Sequence, residues 1–235
     1  MKPLSLVIPA YGAGDLLRGI ISHVPALRDT AERCGFRLLE TIVVDDGDSM
    51  PVDAGAFPAV DGVDMVVLRN GRNMGKGYSV RKGALAARGD WVLMSDADES
   101  APLTEFAKLA PFADRALVCG SRYGGDDARP FHRRMLSWLF NRLTGTGLKD
   151  SQCGFKLFNM PLMRAAFYRQ RTERFAFDVE LIRSAPSVVE VPVEWRGGRR
   201  STLRVWRDAP RMLLDLLRIR CCSARSGDLS GIVNP

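Results

Sequence analysis

The sequence has no apolar run long enough to cross a membrane as a helix. Its longest apolar stretches, such as residues 4–10, fall far short of the roughly 20 residues that a spanning helix needs. The N-terminus also lacks the features of a signal peptide, because Lys2 and Pro3 lead directly into a strand-like run without a small-residue cleavage site. These absences predict a cytoplasmic protein, and any membrane contact is expected to be peripheral, on the cytoplasmic face.

Histidine is scarce, and the cysteines are odd in number. The two histidines, His23 and His132, are interpreted as structural or surface residues. The five cysteines lack metal-ligand spacing, so most are interpreted as buried apolar residues or exposed thiols. The sequence leaves the role of the adjacent pair Cys221-Cys222 open. Internal repeats are also absent, which argues against a repeat architecture.

The chain has 235 residues, which is enough for one sizeable α/β domain and short for two. The first 120 or so residues alternate strand-like and helix-like segments, a pattern typical of a mainly parallel sheet with covering helices. Strands are predicted at residues 4–8, 38–44, 63–68, 91–94, 116–119 and 188–193. Helices are predicted at residues 16–31, 78–87, 131–143, 177–182 and 205–219. Pro25 is expected to bend or break the first of these helices.

The net charge of +7 is concentrated in two stretches of the second half. Residues 129–143 contain four arginines and no acid, and residues 199–220 contain seven arginines against two aspartates. This basic face favours an anionic partner, namely phosphates, acidic lipid head groups or nucleic acid, over a merely solvated surface. Apolar residues are interleaved with these arginines, so both stretches are predicted to form amphipathic helices. Such helices lie at a membrane interface or pack against a core.

Two aspartates, Asp96 and Asp98, directly follow the fourth predicted strand. Carboxylates one residue apart in this position can both reach one hard divalent cation, directly or through water. Such a cation takes further ligands from substrate phosphates, and a metal that bridges a diphosphate makes it a better leaving group. The position after an apolar strand therefore favours a metal site over a solvated loop.

Other polar segments follow strands at the same predicted edge of the sheet, where open α/β sheets bind ligands. Asp45 and Asp46 are suited to accept hydrogen bonds from a ribose or a base, or to form an ordinary Asp-Gly turn. In residues 73–77, Asn-Met-Gly-Lys-Gly, Lys76 supplies a cation near a helix N-terminus, which suits a phosphate. The alternative is a flexible loop with a surface lysine. Arg122 follows the fifth strand and is a candidate for a second phosphate contact.

In their order along the chain, these motifs resemble those of inverting glycosyltransferases of the GT-A fold. The matching segments are residues 6–11, 43–47, 73–77, 87–90, 96–98 and 120–122. Two later blocks, residues 150–158 and 175–181, resemble more narrowly the polyprenyl- and dolichyl-phosphate sugar synthases, particularly the dolichyl-phosphate glucosyltransferase branch.

The resemblance covers about residues 4–220 and implies one α/β domain with a GT-A, or Rossmann-like, mainly parallel sheet and flanking helices. Residues 1–122 are expected to form its nucleotide-sugar-binding half and residues 123–220 its acceptor-binding half. The domain is expected to end in a C-terminal amphipathic helix, with residues 221–235 as a polar tail.

The resemblance implies metal-dependent transfer of a hexose, with inversion, from a UDP-glucose or GDP-mannose type of donor to a polyprenyl or dolichyl phosphate. It implies substrate-binding roles for Pro9, Tyr11, Asp45, Asp46, Asn73, Lys76, Asp96, Arg122, Arg133, Arg134, Lys156 and Arg200. It implies catalytic roles for Asp98, Gln152 and Asp178, with Asp96 and Asp98 as ligands of Mg²⁺ or Mn²⁺. The expected partners are the sugar donor, the lipid phosphate and a membrane surface, without nucleic acid.

The chemistry of the acceptor decides whether a general base is needed. A phosphate monoester has a second pKa near ~6, so it is mostly dianionic at neutral pH and attacks without one. A hydroxyl acceptor would need a base, and Asp150 and Asp178 are the nearest candidates. Two alternatives stay open: the same fold acting on a soluble acceptor, and a non-catalytic protein that binds nucleotides or membranes.

The sequence also departs from the family pattern. Gly12-Ala13 stands where the family usually has Asn-Glu, which leaves the choice between uridine and guanosine open. Glu99-Ser100 follows the metal motif where Gly-x-Thr is commoner, and Asp48 replaces a serine. Ser201-Thr202-Leu203 replaces a Ser-Lys-Leu, with arginines on both sides.

Overall fold

A computed structural model describes residues 1–123, 141–142 and 144–196 of the chain. The predicted helix at 205–219, most of the predicted helix at 131–143 and the polar tail lie outside these residues. So do three of the predicted substrate-binding residues, Arg133, Arg134 and Arg200.

The described residues form strands and helices that alternate along the first half of the chain. The strands are β1 (Lys2–Ala10), β2 (Phe36–Asp45), β3 (Asp64–Arg69), β4 (Trp91–Met94), β5 (Leu117–Ser121), β6 (Lys156–Asn159) and β7 (Val188–Pro192). The helices are α1 (Gly14–Ser22), α2 (Val24–Arg33), α3 (Lys76–Ala86), α4 (Phe106–Leu109), α5 (Met160–Arg169) and α6 (Phe177–Ser184).

The strands build one sheet in the order β3-β2-β1-β4-β6-β5-β7. All neighbours are parallel except β6, which runs antiparallel to both β4 and β5. The predicted mainly parallel sheet is therefore confirmed. The chain leaves β1 toward β2 and later returns to β4 on the other side of β1. That reversal opens a crevice at the carboxyl ends of β1, β2 and β4, where ligands of such sheets bind.

Helices cover both faces of the sheet because the strand residues alternate between two apolar clusters. On β1, Leu4, Leu6 and Ile8 belong to one cluster, together with buried residues of α1, α2 and α4. Val7 points into the other cluster, which is filled by residues of α3, α5 and α6. Both faces of β1 are thus buried, as expected for a central parallel strand. Among the described helices, none is both long and apolar enough to span a bilayer.

Pro25 breaks the first predicted helix, as expected. The chain forms α1 and α2 instead of one helix, and Pro25 is the second residue of α2. Proline is tolerated there because the first N–H groups of a helix have no intrahelical partner. His23 is the joint between the two helices.

The sequence did not yield three described elements, α4, β6 and α5. Strand β6 is only four residues long and begins at Lys156, a charged residue that is buried. Helix α5 follows it directly and buries Met160, Met163 and Phe167, a helical spacing that the sequence contains. In the sheet, β6 lies between β4 and β5 and so connects the strands β1 to β4 with β5 and β7.

Candidate active site

The Asp96-Ala97-Asp98 segment follows β4 at the crevice. Asp96 forms an ion pair with Lys76. The Nζ atom of Lys76 lies 2.6 Å from Oδ1 of Asp96. The first residue of α3 therefore meets the loop after β4 at the crevice. Asp98 is partly exposed, and its Oδ1 accepts from the backbone N–H (3.1 Å) and the hydroxyl (2.8 Å) of Ser100. These contacts orient Asp98 within its turn.

Gly154 is packed against Asp96, a contact that sequence reasoning missed. A Cβ atom at position 154 would lie 1.9 Å from Oδ2 of Asp96, so any larger residue would displace the Asp96 carboxylate. The glycine stands inside the 150–158 block that carries the family resemblance, and this close approach explains it physically. Gly154 therefore fixes one side of the Asp96 carboxylate.

Glu99 adopts a left-handed conformation with a φ of 47°, which an L side chain seldom takes. This is the position where the family more often has glycine, and glycine carries no steric penalty there. Here the Glu99 carboxylate pairs at 2.6 Å with Nδ1 of His23, the residue that follows α1. His23 is exposed and contacts the loop of the metal motif, in line with its interpretation as a structural or surface residue.

Lys156 and Asp178 form a buried ion pair beside the same loop. The Lys156 Nζ lies 2.7 Å from Oδ1 of Asp178 and also donates to the backbone oxygen of Cys153. Burial alone would lower the pKa of Lys156, but the Asp178 carboxylate outweighs it and holds that pKa above its usual value. Lys156 is therefore charged at neutral pH. Burial raises the pKa of the Asp178 carboxyl above its usual value, although the neighbouring Lys156 charge opposes that rise.

Arg122 holds Asp150 in a bidentate ion pair. Its Nε and Nη2 lie 2.6 and 2.5 Å from the two carboxylate oxygens, and its backbone N–H donates to Asp150 at 3.0 Å. Asp150 is completely buried, which by itself raises a carboxyl pKa, yet the hydrogen bonds and charge of Arg122 lower it below the usual value. The guanidinium also stacks over the ring of Trp195, 5.2 Å from its centroid.

The loop that carries Asp150 is held by two side chains that the sequence analysis did not single out. Glu190 of β7 accepts from the backbone N–H groups of Lys149 and Asp150 at 2.9 and 2.7 Å. Asn141 accepts from the backbone and hydroxyl of Ser151 at 3.1 and 2.6 Å. Gln152, a predicted catalytic residue, is partly exposed in this loop and has no hydrogen-bond partner among the described residues.

Asp45 and Asp46 lie at the end of β2, as predicted, but they bind their own chain. Asp46 is buried and accepts from the Asn70 side chain and from the backbone N–H groups of Met74 and Gly75, all at 2.8 Å. It therefore fixes the loop that precedes α3.

Asp45 is also buried, and its carboxylate organises the loop after β2. It accepts from the backbone N–H groups of Asp48 and Val52 at 2.9 and 3.2 Å, and Arg69 pairs with it at 2.5 Å. Asp48, the family's serine position, in turn accepts from the backbone N–H of Gly12 at 2.7 Å. Contact of Asp45 and Asp46 with a nucleoside stays a prediction.

The glycines beside Lys76 give room to another segment of the chain. A Cβ at Gly75, whose φ is 104°, would lie 2.5 Å from the backbone oxygen of Glu173. A Cβ at Gly77 would lie 2.7 Å from the backbone oxygen of Thr172. The N-terminal turn of α3 is therefore packed against residues 172–177, and its Lys76 side chain reaches Asp96 at the crevice.

The remaining predicted residues lie near the same edge. Pro9 is in β1 one residue before its end and pairs with Val44 of β2. Tyr11 follows β1 and is 53% exposed, and Asn73 is partly buried in the loop before α3. The predicted residues of the first half thus lie along one edge of the sheet. Of those in the second half, Lys156 lies beside Met94, the last residue of β4, and Asp178 pairs with Lys156.

The two aspartates fit a divalent cation that shares its coordination shell with a substrate. Mg²⁺ and Mn²⁺ take oxygen ligands, and Mg²⁺ sites often use one or two carboxylates plus substrate phosphates and water. Within residues 1–123, 141–142 and 144–196, no three histidine, cysteine or acidic side chains converge as a metal site. Cation binding by Asp96 and Asp98 stays a prediction, and a cation held there would take its other ligands from phosphate or water.

Comparisons with known proteins point to one family. Residues 5–172 match the family model described as Glycosyl transferase family 2. The chain is 32% identical over 243 residues to the dolichyl-phosphate beta-glucosyltransferase of Homo sapiens, covering 93% of this chain and 75% of that one. It is 30% identical over 240 residues to the dolichyl-phosphate beta-glucosyltransferase of Dictyostelium discoideum, covering 92% and 73%.

Solved structures with the same fold are more distant in sequence. Glucosyl-3-phosphoglycerate synthase from Mycobacterium tuberculosis, in complex with Mn²⁺, UDP-glucose and phosphoglyceric acid, gives a TM-score of 0.60 at 18% identity, covering 94% of this chain and 80% of that one. A mannosyltransferase from Pyrobaculum calidifontis, in complex with GDP-Man and Mn²⁺, gives 0.57 at 15% identity, covering 96% and 65%. These likenesses support the GT-A fold expected from the sequence.

Proposed function

The chain belongs to glycosyl transferase family 2, and on that premise we propose that it moves a hexose from a nucleotide diphosphate sugar to a polyprenyl or dolichyl phosphate. The relatives described above are dolichyl-phosphate beta-glucosyltransferases, which favours glucose as the sugar and a lipid phosphate as the acceptor. The products are a glycosyl phosphate diester of the lipid and a nucleoside diphosphate.

The donor side of the site is the rim formed by β1, β2 and β4. A diphosphate bound beside Asp96 meets the Lys76 ammonium, which is only partly buried and can reach a phosphate oxygen. The nucleoside then lies toward Tyr11 and the loops that Asp45 and Asp46 hold in place. Complexes of similarly folded enzymes with UDP-glucose or GDP-Man support a donor of this class.

Asp96 and Asp98 would hold Mg²⁺ or Mn²⁺ at this rim. When bound, such a cation neutralises the negative charge that develops on a departing diphosphate. Lys76, beside Asp96, supplies a second positive charge for the diphosphate. Gly154 and Ser100 keep the two carboxylates oriented.

One observation carries the choice of a phosphate acceptor. The two carboxylates that a hydroxyl acceptor would need as bases, Asp150 and Asp178, are both buried in ion pairs. Asp150 uses both oxygens to bind Arg122, and its lowered pKa makes it a poor proton acceptor. Burial raises the pKa of Asp178, but its side chain is only 5% exposed and its Oδ1 binds the Lys156 ammonium, so a hydroxyl acceptor has little access to it. A phosphate dianion needs no base, so this arrangement suits it.

The transfer then proceeds as a direct displacement. A phosphate oxygen attacks the anomeric carbon on the face opposite the diphosphate, and the electron pair of the broken carbon–oxygen bond leaves with the nucleoside diphosphate. The configuration of the anomeric carbon therefore inverts. Lys156, which Asp178 keeps charged, and Gln152, whose amide is unpaired among the described residues, are assigned to position the reacting phosphate and sugar.

The lipid part of the acceptor requires contact with a membrane surface. The sequence offers residues 129–143 and 199–220, whose eleven arginines are interleaved with apolar side chains. Basic amphipathic segments bind anionic lipid surfaces through both components. We assign the membrane contact and the approach of the acceptor phosphate to these segments, including Arg133, Arg134 and Arg200.

The test is a transfer assay with radiolabelled UDP-glucose, GDP-mannose in parallel, Mn²⁺ and polyprenyl phosphate in detergent. Label should move into the organic phase with wild-type protein. Asp96→Ala and Asp98→Ala should each lower that rate about a thousandfold, since cation stabilisation of a leaving group contributes several kcal/mol.

The matched control is Asp114→Ala, which removes an aspartate that is exposed and only loosely paired with Arg115 at 3.7 Å. It should leave the rate unchanged. If label moves only into water-soluble product, the lipid acceptor is wrong and the transferase class survives. If the wild-type protein binds nucleotides without any dependence on metal and transfers nothing, the catalytic proposal fails.

A further inference from the structure

The ion pair between Lys76 and Asp96 joins a predicted phosphate ligand to a predicted metal ligand. The two atoms are 2.6 Å apart, and the side chains are 21% and 30% exposed. The Lys76 ammonium has no other ion-pair or hydrogen-bond partner among the described residues. Lys76 is therefore bound only to a group that a divalent cation would also use.

The surroundings determine which of the two side chains can move. Asp96 has a short side chain that fills the space which a Cβ of residue 154 would take, and it lies two residues after the end of β4, so it has less freedom to move. Lys76 has a fixed backbone, because Gly75 donates to Asp46 and Gly77 is wedged against residues 172–177. Its four-carbon stem can nevertheless rotate in a partly exposed position. A change of partner is therefore a movement of the lysine side chain.

A divalent cation and the ammonium cannot both bind Asp96 Oδ1 closely without repelling each other. A cation that arrives alone must displace Lys76 and leave its charge unpaired. A nucleotide diphosphate offers Lys76 new oxygen acceptors within reach of the same rim. The presence of the nucleotide therefore removes the competitor of the metal.

From this geometry we propose that Lys76 links the binding of the divalent cation to the binding of the nucleotide by exchanging Asp96 for the diphosphate. The inference rests on the proposed function, because it assumes a metal–nucleotide site at Asp96. It makes Lys76 a positioning residue for both ligands. By linkage, the nucleotide strengthens metal binding by the same factor as the metal strengthens nucleotide binding.

The experiment measures binding without any acceptor. Free Mn²⁺ is followed by electron paramagnetic resonance, and UDP binding, with GDP in parallel, is measured by calorimetry with EDTA and then with saturating Mn²⁺. Lys76→Met should bind Mn²⁺ alone about tenfold more tightly, because a competing ammonium is gone. It should bind the nucleotide alone about tenfold more weakly, and the linkage factor should fall by about tenfold, within the range known for such couplings.

Two comparisons separate the exchange from other causes. Lys76→Arg keeps the positive charge beside Asp96 and should keep the weak affinity for Mn²⁺ alone. Lys108→Met removes a lysine from a pair of similar length, 2.7 Å to Glu105, away from the rim, and should change none of the affinities. Thermal unfolding of each variant checks that folding is intact.

The outcomes distinguish this inference from the proposed function. If wild-type protein shows Mn²⁺-linked nucleotide binding but Lys76→Met leaves the affinity for Mn²⁺ alone unchanged or weaker, the exchange is wrong and the proposed function stands. If wild-type protein shows no Mn²⁺-linked nucleotide binding at all, both fail.

Discussion

Two Lys–Asp pairs with nearly equal N–O distances lie at one rim of the sheet, but they differ in how far they are buried. Lys76 and Asp96 are 2.6 Å apart and partly exposed, whereas Lys156 and Asp178 are 2.7 Å apart and almost completely buried. A partly exposed pair contributes little to stability and exchanges partners readily. A buried pair is costly to break because one charge is left in a low-dielectric interior. The same two residue types thus suit ligand exchange in one place and a fixed framework in the other.

The largest expected effect comes from breaking the buried pair. Asp178→Ala should lower the free energy of unfolding by about 3–5 kcal/mol, because it leaves the Lys156 ammonium buried without a partner. Asp96→Ala removes the partner of a part-exposed lysine and should cost less than about 1 kcal/mol. Urea unfolding measures both values.

The double variant Lys156→Met/Asp178→Leu sharpens this comparison. Replacing both charges by apolar side chains of similar volume should restore most of the lost stability, since no charge stays unpaired. Transfer activity should stay low if Lys156 positions the phosphate. Equal losses of stability for Asp178→Ala and Asp96→Ala would show that burial does not separate the two pairs.

The next effect concerns the other buried acid, Asp150. Arg122 lowers the folded-state pKa of Asp150 below its unfolded value of about 3.9, so the pair stabilises the protein fully above that pH. Asp150→Asn should therefore be about 3 kcal/mol less stable than wild type near pH 7. This difference should shrink as the pH falls below about 4 and Asp150 becomes protonated in the wild type.

Urea unfolding of both proteins between pH 7 and pH 2.5 tests this expectation. A difference in stability that stays constant down to pH 2.5 would contradict the pairing of Asp150 with Arg122. A change near pH 7 would implicate a different titrating group.

The smallest effect concerns Glu99, which combines a pairing with an unfavourable backbone conformation. Glu99→Ala loses the ion pair with His23 and still has a Cβ in a left-handed conformation. Glu99→Gly also loses the ion pair, but it removes the steric cost of that conformation. Glu99→Gly should therefore be more stable than Glu99→Ala by about 1 kcal/mol, the cost of that conformation for an L side chain. Thermal unfolding of the two variants measures the difference, and equal midpoints would contradict it.

The sequence predicts the first half of the fold well because its signals are local. Apolar runs such as residues 38–44 and 91–94 end in polar motifs, and each run is a strand of the sheet. It does not yield β6, because a four-residue strand that begins with a buried lysine carries no period-two pattern. The buried Lys156 becomes understandable only when Asp178, 22 positions away, is placed beside it.

The site shows the same limit. The motifs place Asp45, Asp46 and Asp96 at one edge, because parallel strands end together. Their partners are distant in sequence: Asp46 binds the loop before α3, and Asp96 meets Lys76 and Gly154. A sequence pattern cannot distinguish a carboxylate that binds a ligand from one that accepts hydrogen bonds from a loop of its own chain. Arg122 illustrates this, since the arginine predicted to bind a phosphate also holds Asp150.

The proposed nucleophile is a phosphate oxygen, which needs no base. Phosphorus-31 NMR of polyprenyl phosphate, incubated with the protein, Mg²⁺ and the sugar donor, tests this directly. The monoester resonance should decrease while a sugar phosphodiester resonance and free nucleoside diphosphate appear in equal amounts. Formation of a glycosylated product on a hydroxyl, with the monoester signal unchanged, would contradict it.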